Sequence, residues 1–247
     1  MSRAPRAVTD PAAVVAAVTG HYRRLGTPER ASAERAYLKS PLRFHGVTVP
    51  DVRRQAADLV RRGMPELAER RRLLALARAF LATDFHDLHS TAIALLEKRQ
   101  DLLLERDLEW LKRVVRRSAN WAHVDWLATK VVGPIVARAT AATRRRTLRS
   151  WARDPDFWVR RSALLAQLDE LRAGGGDFPL FAALAAPMLP DKEFFIRKAI
   201  GWVLREVGKR RPQLTYEFLR QHRSQVSGLT LREGSRRLSP AMRAALA

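Results

Sequence analysis

Asp125 stands four residues after Trp121 in the stretch Ser118-Ala119-Asn120-Trp121-Ala122-His123-Val124-Asp125-Trp126. On a helix that spacing makes the carboxylate and the indole neighbours. Val124, Leu127, Ala128 and Val131 follow the i, i+3, i+4, i+7 pattern of one buried stripe, and Asp125 falls roughly 100° from its centre, at the edge of the core. A carboxylate beside an indole, in a chain of formal net charge +21, suits a site that handles a cation. Arg161 falls inside another apolar stripe, that of Phe157, Leu164, Leu168 and Leu171. A guanidinium buried there must meet a carboxylate, a carbonyl or a bound phosphate, unless its stem packs and its head reaches water. Trp202 lies off the core face of Ile196, Ile200, Val203 and Val207, with Lys198 at i−4 and Arg205 at i+3. A large aromatic among cations suits nucleic acid, which binds by stacking and charge. Packing of Trp202 against a neighbouring repeat is the alternative.

Other chemistries find little support. The six His residues lack metal-ligand spacing and are expected at surfaces or turns. No Ser has the context of a nucleophile elbow. Gly174-Gly175-Gly176 lacks the Gly-Lys-Ser/Thr ending of a phosphate-binding loop and is expected to be a flexible connection. No cofactor and no metal are expected. Arg70-Arg71-Arg72 and Arg144-Arg145-Arg146 are expected as solvated or phosphate-facing patches.

The elements that must position these groups are helices. Pro11 follows Asp10 at a helix start. Further helices are expected over 30–39, from Pro50 or Asp51 to about Gly63, from Pro65 through Phe80, and over 84–98, 107–117, 156–171 and 192–211. Asn120 or Ser118 can cap the helix of Asp125, and Gly133-Pro134 is expected to end it. Thr48-Val49 is the only β-leaning spot. The chain is therefore expected to be all-α. Asn120, Phe157 and Phe194 each stand near a helix start at a constant spacing of 37 residues, and Phe157-Trp158-Val159-Arg160-Arg161 matches Phe194-Phe195-Ile196-Arg197-Lys198. That period predicts an α-solenoid of HEAT-like helix pairs with a concave basic surface, a single domain over 1–247 whose ends, 1–10 and 239–247, fray.

Composition narrows the partner. Lys+Arg is 46 against 25 Asp+Glu in 247 residues, so a polyanion is expected, foremost nucleic acid. Only seven of those cations are Lys, so an Arg-rich codon bias is the competing explanation. No Cys is present, which excludes disulfides and Cys-ligated metal. No apolar run is long enough for a membrane span and residues 1–10 lack a signal-peptide segment, so a cytoplasmic, nucleoid-associated protein is expected.

Several blocks in order resemble a known family. They are Tyr37-Leu38-Lys39, Phe44-His45-Gly46-Val47, Asn120-Trp121 with Asp125, the Phe157 to Arg161 block, and Glu193-Phe194-Phe195-Ile196-Arg197-Lys198-Ala199-Ile200-Gly201-Trp202-Val203-Leu204-Arg205-Glu206. Together they resemble the AlkD-type DNA alkylation repair glycosylases, from about Tyr37 to about Arg237. The resemblance implies a HEAT-like solenoid that removes cationic N3- and N7-alkylated purines from duplex DNA without fully flipping the base. It implies Asp125 as the catalytic carboxylate, with Trp121 and Trp202 as the aromatic walls. Arg161 would hold a phosphate near the lesion and Tyr37 would line the groove. Lys198 and Arg205, which flank Trp202, and Arg160 are expected as further DNA contacts. Duplex DNA bearing alkylated bases would be the partner of a monomer. Ala122 replaces an acidic residue frequent in the family, and Asp169 stands where a relative has a basic DNA contact. A non-catalytic solenoid that binds damaged or branched DNA is the alternative, and a protein-binding scaffold is disfavoured by the charge.

Overall fold

The computed structural model describes residues 10–62 and 67–246. Among them every regular element is helical, and the one β-type contact is an isolated bridge between Arg43 and Phe85. The helices group into two compact units, divided between Asp107 and Leu108.

The first unit holds α1 (Pro11–Leu25), α2 (Pro28–Leu38), α3 (Val49–Arg61), α4 (Arg70–Leu81) and α5 (His86–Lys98). Their starts follow from capping chemistry. Asp10 accepts from Ala12 N with Pro11 in the first turn. Thr48 and Asp51 form a reciprocal capping box, each side chain bonding the other's backbone N–H at 3.2 Å. The predicted start at Pro65 lies outside the described residues. α5 is buried on nearly every side and packs against α3 and α4. It brings His86 into the interior, where the ring stacks 4.5 Å from Phe44 and burial lowers its pKa to about 4. His123 is also buried, so the expectation of surface histidines fails at these two positions. Arg70 reaches back to the buried Asp107 through two hydrogen bonds and is an internal anchor rather than part of a solvated patch.

The second unit holds α6 (Leu108–Ser118), α7 (Trp121–Leu127), α8 (Gly133–Arg138), α9 (Ala141–Ala152), α10 (Phe157–Leu165), α11 (Leu168–Arg172), α12 (Phe178–Ala185), α13 (Phe194–Gly208), α14 (Pro212–Gln221), α15 (Gly228–Gly234) and α16 (Pro240–Ala244). It is built by repetition. α10 packs on α6, α7, α9 and α13, and α13 packs on α14 and α15. Two boundaries differ from expectation. Gly133-Pro134 does not stop the helix of Asp125; a π-helical turn over Ala128–Val132 carries it into α8. The Gly133 N–H bonds the carbonyl of Ala128, five residues back, and this wider turn makes room for the proline ring. A Cβ on Gly133 would stand 2.8 Å from the carbonyl oxygen of Ala166, so glycine lets this helix approach the end of α10. The helix predicted over 156–171 is two, broken at Ala166-Gln167, although Leu164, Leu168 and Leu171 are all buried.

The connections are tied down by cations. Arg211 donates to the carbonyls of Leu171 and Gly175, so the three-glycine turn is held rather than loose. Arg144 donates to the carbonyls of Val136 and Ala137, the open end of α8, which removes it from any phosphate-facing patch. At the chain's end Ser239 caps α16 and Arg223 donates to the Leu246 carbonyl at 2.6 Å.

Asp154 ties α6 to the turn before α10. Burial alone would raise its pKa, but hydrogen bonds from Arg116 at 2.5 Å and Lys112 at 2.8 Å prevail and lower it to about 2. Its contribution, on the order of 2 kcal/mol, is present above the unfolded-state value near 4 and is lost as the pH falls through about 2. Asp154→Asn should therefore lower stability at pH 7 and change it little at pH 2, as urea melts at the two values will report. An equal loss at both would show that the ion pair is not the source.

Candidate active site

The candidate residues lie on successive repeats. Asn120, Asp156 and Glu193 cap α7, α10 and α13 through their side chains, and Asn120, not Ser118, caps the helix of Asp125. Trp121, Phe157 and Phe194 are thus the first residues of equivalent helices, which shifts the first copy of the sequence repeat by one. Counting from those starts, Asp125, Arg161 and Lys198 are each the fifth residue. The repeat places a carboxylate, a guanidinium and an ammonium at one position of three stacked helices.

Two of these meet. Arg161 Nε donates to Asp125 Oδ1 at 2.7 Å and Nη2 to Oδ2 at 2.8 Å, a forked pair. Arg161 Nη1 donates to the backbone carbonyl of Phe195 on α13. The guanidinium is therefore gripped from α7 and α13 at once, and it lies 5.7 Å from the centre of the Phe195 ring. Its place in an apolar stripe demands an anion, and the protein supplies a carboxylate and a carbonyl. The pair is asymmetric to solvent: the Arg161 side chain is 4% exposed and that of Asp125 is 16% exposed. The carboxylate is the member that a solute can touch. Each of its oxygens keeps lone-pair capacity beyond the single N–H it accepts from Arg161.

Aromatic rings cluster on Phe195. Trp158 lies 4.7 Å from Phe195, Phe157 stacks on Phe195 at 6.2 Å, and Phe194 meets it edge-on at 5.3 Å. Phe194 is among the exposed large apolar residues. Trp121 and Trp202 are half-buried, while Ile196, Ile200, Val203 and Val207 form the fully buried face of α13, as predicted.

The cations expected at DNA are all engaged within the protein. Arg160 donates to the carbonyls of Asp154 and Pro155 and to Asp191 Oδ2, each at 2.9 Å. Lys198 and Arg205 both meet Glu233 of α15. Asp169 pairs with Lys130 at 2.6 Å and with Arg172 at 3.3 Å. Tyr37 is in the first unit, in the last turn of α2, with 73% of its surface exposed. Sequence reasoning missed Glu233 and the Phe195 carbonyl. Among the described residues no group of three or more His, Asp or Glu could hold a metal ion, and no helix is long and apolar enough to cross a membrane.

Comparison with known proteins decides the family. The model of the DNA alkylation repair enzyme family matches residues 18–238. The chain belongs to the DNA alkylation repair enzyme family. A solved structure described as a predicted DNA alkylation repair enzyme from Enterococcus faecalis is similar in fold, with a TM-score of 0.76 and 27% sequence identity. The similarity covers 87% of this chain and 98% of that one. No curated protein matches the chain. Family membership gives this protein a role in the repair of alkylated DNA, with DNA as its partner.

Proposed function

We propose that the protein is a monofunctional AlkD-type glycosylase that excises cationic N3- and N7-alkylated purines from duplex DNA. The observation that carries this reading is the forked Asp125–Arg161 pair, with the carboxylate as its accessible member. An N-alkylated purine already carries positive charge, so it leaves without a general acid. The bond between C1′ and the base nitrogen breaks with its electron pair going to the purine, which departs neutral. Positive charge then builds on the sugar, as in other glycoside cleavages. Asp125, held in one orientation by Arg161, stabilises that charge and can align the water that adds to C1′ and loses its proton. Trp121 and Trp202 contribute cation–π attraction of about 0.5–2 kcal/mol. The net charge of +21 supplies sequence-independent, salt-sensitive attraction to the backbone of the duplex. No cofactor takes part, and a monomer acting on nucleoid DNA in the cytoplasm is the simplest arrangement.

One observation favours a second reading. Both oxygens of Asp125 already accept hydrogen bonds, so the pair could serve only to lock repeats together in a non-catalytic protein that binds damaged or branched DNA. Chromatography of bases released from methylated duplex DNA separates the two. Release of N3-methyladenine or N7-methylguanine supports the glycosylase, and tight binding without release supports the alternative.

Trp202→Ala is expected to slow base release while leaving the fold intact. The ring is half-buried and off the apolar face of α13, so the stability loss should fall well short of the roughly 3–5 kcal/mol for a fully buried Trp. Melting temperature and single-turnover release, measured together, check this. A collapse in melting temperature would make Trp202 a packing residue.

A further inference from the structure

Lys198, Trp202 and Arg205 stand at i, i+4 and i+7 on α13, so they share one face. Gly201 lies beside them and faces α15. A Cβ at Gly201 would stand 2.6 Å from Cβ of Glu233 and 3.3 Å from the carbonyl oxygen of Thr230, so only glycine admits α15 this close. Ser227 caps α15, and Thr230 Oγ1 donates to the Arg197 carbonyl at 3.1 Å, which fixes the helix against α13. From that position the Glu233 carboxylate divides between two cations. Oε1 accepts from Lys198 Nζ at 2.6 Å, and Oε2 accepts from Arg205 Nη1. The Lys198 bond, with Arg205 and Arg236 nearby, holds Glu233 below the usual glutamate pKa. Arg205 also has Glu206 Oε1 at 3.7 Å. Lys198 is 40% and Arg205 22% exposed at the side chain, so both are within reach of a solute.

We infer that Glu233 is a positioning residue that occupies the Lys198 and Arg205 donors a DNA phosphate would take. The inference rests on the reading that this face of α13 meets DNA. A carboxylate and a phosphate compete for the same N–H groups, and with Glu233 in place the three side chains carry one net positive charge instead of two. Backbone attraction around Trp202 is thereby held down for every duplex alike, and retention depends more on contacts at the lesion. Glu233 thus sets discrimination rather than chemistry.

Glu233→Gln keeps the shape and removes the charge. It should raise affinity for undamaged duplex about 10-fold and steepen the slope of log K against log salt by about 0.9–1.8, one or two more phosphates being neutralised. The advantage of an alkylated over an undamaged duplex should shrink. A double-mutant cycle makes the test independent of small stability changes. Lys198→Gln should cost less than about 3-fold in duplex affinity with Glu233 present and about 10-fold with Gln at that position, because only then does Lys198 act on phosphate unopposed. Equal costs in both backgrounds, or a Glu233→Gln protein with an unchanged slope, would overturn the inference and leave Glu233 a packing contact. Base release by the unsubstituted protein, measured in parallel, keeps the two readings apart. Release with an unchanged slope sinks the role of Glu233 alone. A steeper slope without release sinks the glycosylase alone.

Discussion

Asp125→Asn is expected to slow excision of N7-methylguanine from a defined duplex by about 100- to 1000-fold under single-turnover conditions, or about 3–4 kcal/mol, as for other fixed electrostatic groups. Asparagine keeps the shape and one acceptor oxygen for Arg161 but carries no charge to set against the sugar cation. DNA affinity should hold or rise slightly, because a negative charge near phosphates has gone. The loss should be smaller for lesions that depart more readily, since less stabilisation is required there. Measuring binding beside excision separates a chemical defect from failure to engage the duplex.

Arg161→Ala should be the more disruptive change to the fold. It leaves the carboxylate of Asp125 and the carbonyl of Phe195 without the donors that α10 sends to α7 and α13. Removing one partner of such a pair costs about 3 kcal/mol, somewhat below the value for a wholly dry site because Asp125 is partly exposed. Base release should fall as well, since Asp125 loses the group that orients it. Arg145→Ala and Arg146→Ala are suitable comparisons, with side chains engaged by Asp177 and by Thr143, and each should change stability by less than about 1 kcal/mol. Urea melts and duplex binding on the same samples check the ranking. Wild-type stability with weakened binding would make Arg161 a phosphate contact instead of an internal anchor.

The helical class was legible because apolar residues recur at helical spacing throughout and side-chain caps precede most starts. The repeat was legible too, through Phe157-Trp158 and Phe194-Phe195. What periodicity could not convey is where a helix bends or breaks without losing phase. Leu164, Leu168 and Leu171 stay on one side across the interruption at Gln167, and Gly133-Pro134 continues a helix only because a π turn absorbs the proline. The site was half legible. An Arg inside an apolar stripe announced a need for an anion, yet which anion depended on the register between helices 36 residues apart. Glu233 stayed invisible because its weakly periodic surroundings gave no sign that α15 would reach α13 over Gly201. The two Arg runs misled for a related reason: Arg144 turns to the carbonyl end of α8 and Arg70 to the carboxylate of Asp107, and sequence does not show where those groups lie in space.

The central claim is tested most directly by chromatography of the bases freed from methylated duplex DNA, with the unsubstituted protein and Asp125→Asn run side by side. The account predicts free N3-methyladenine and N7-methylguanine from the former and almost none from the latter at equal DNA occupancy. Near wild-type release by Asp125→Asn would remove the carboxylate from the chemistry. No release by either protein, with duplex binding intact, would contradict the glycosylase itself.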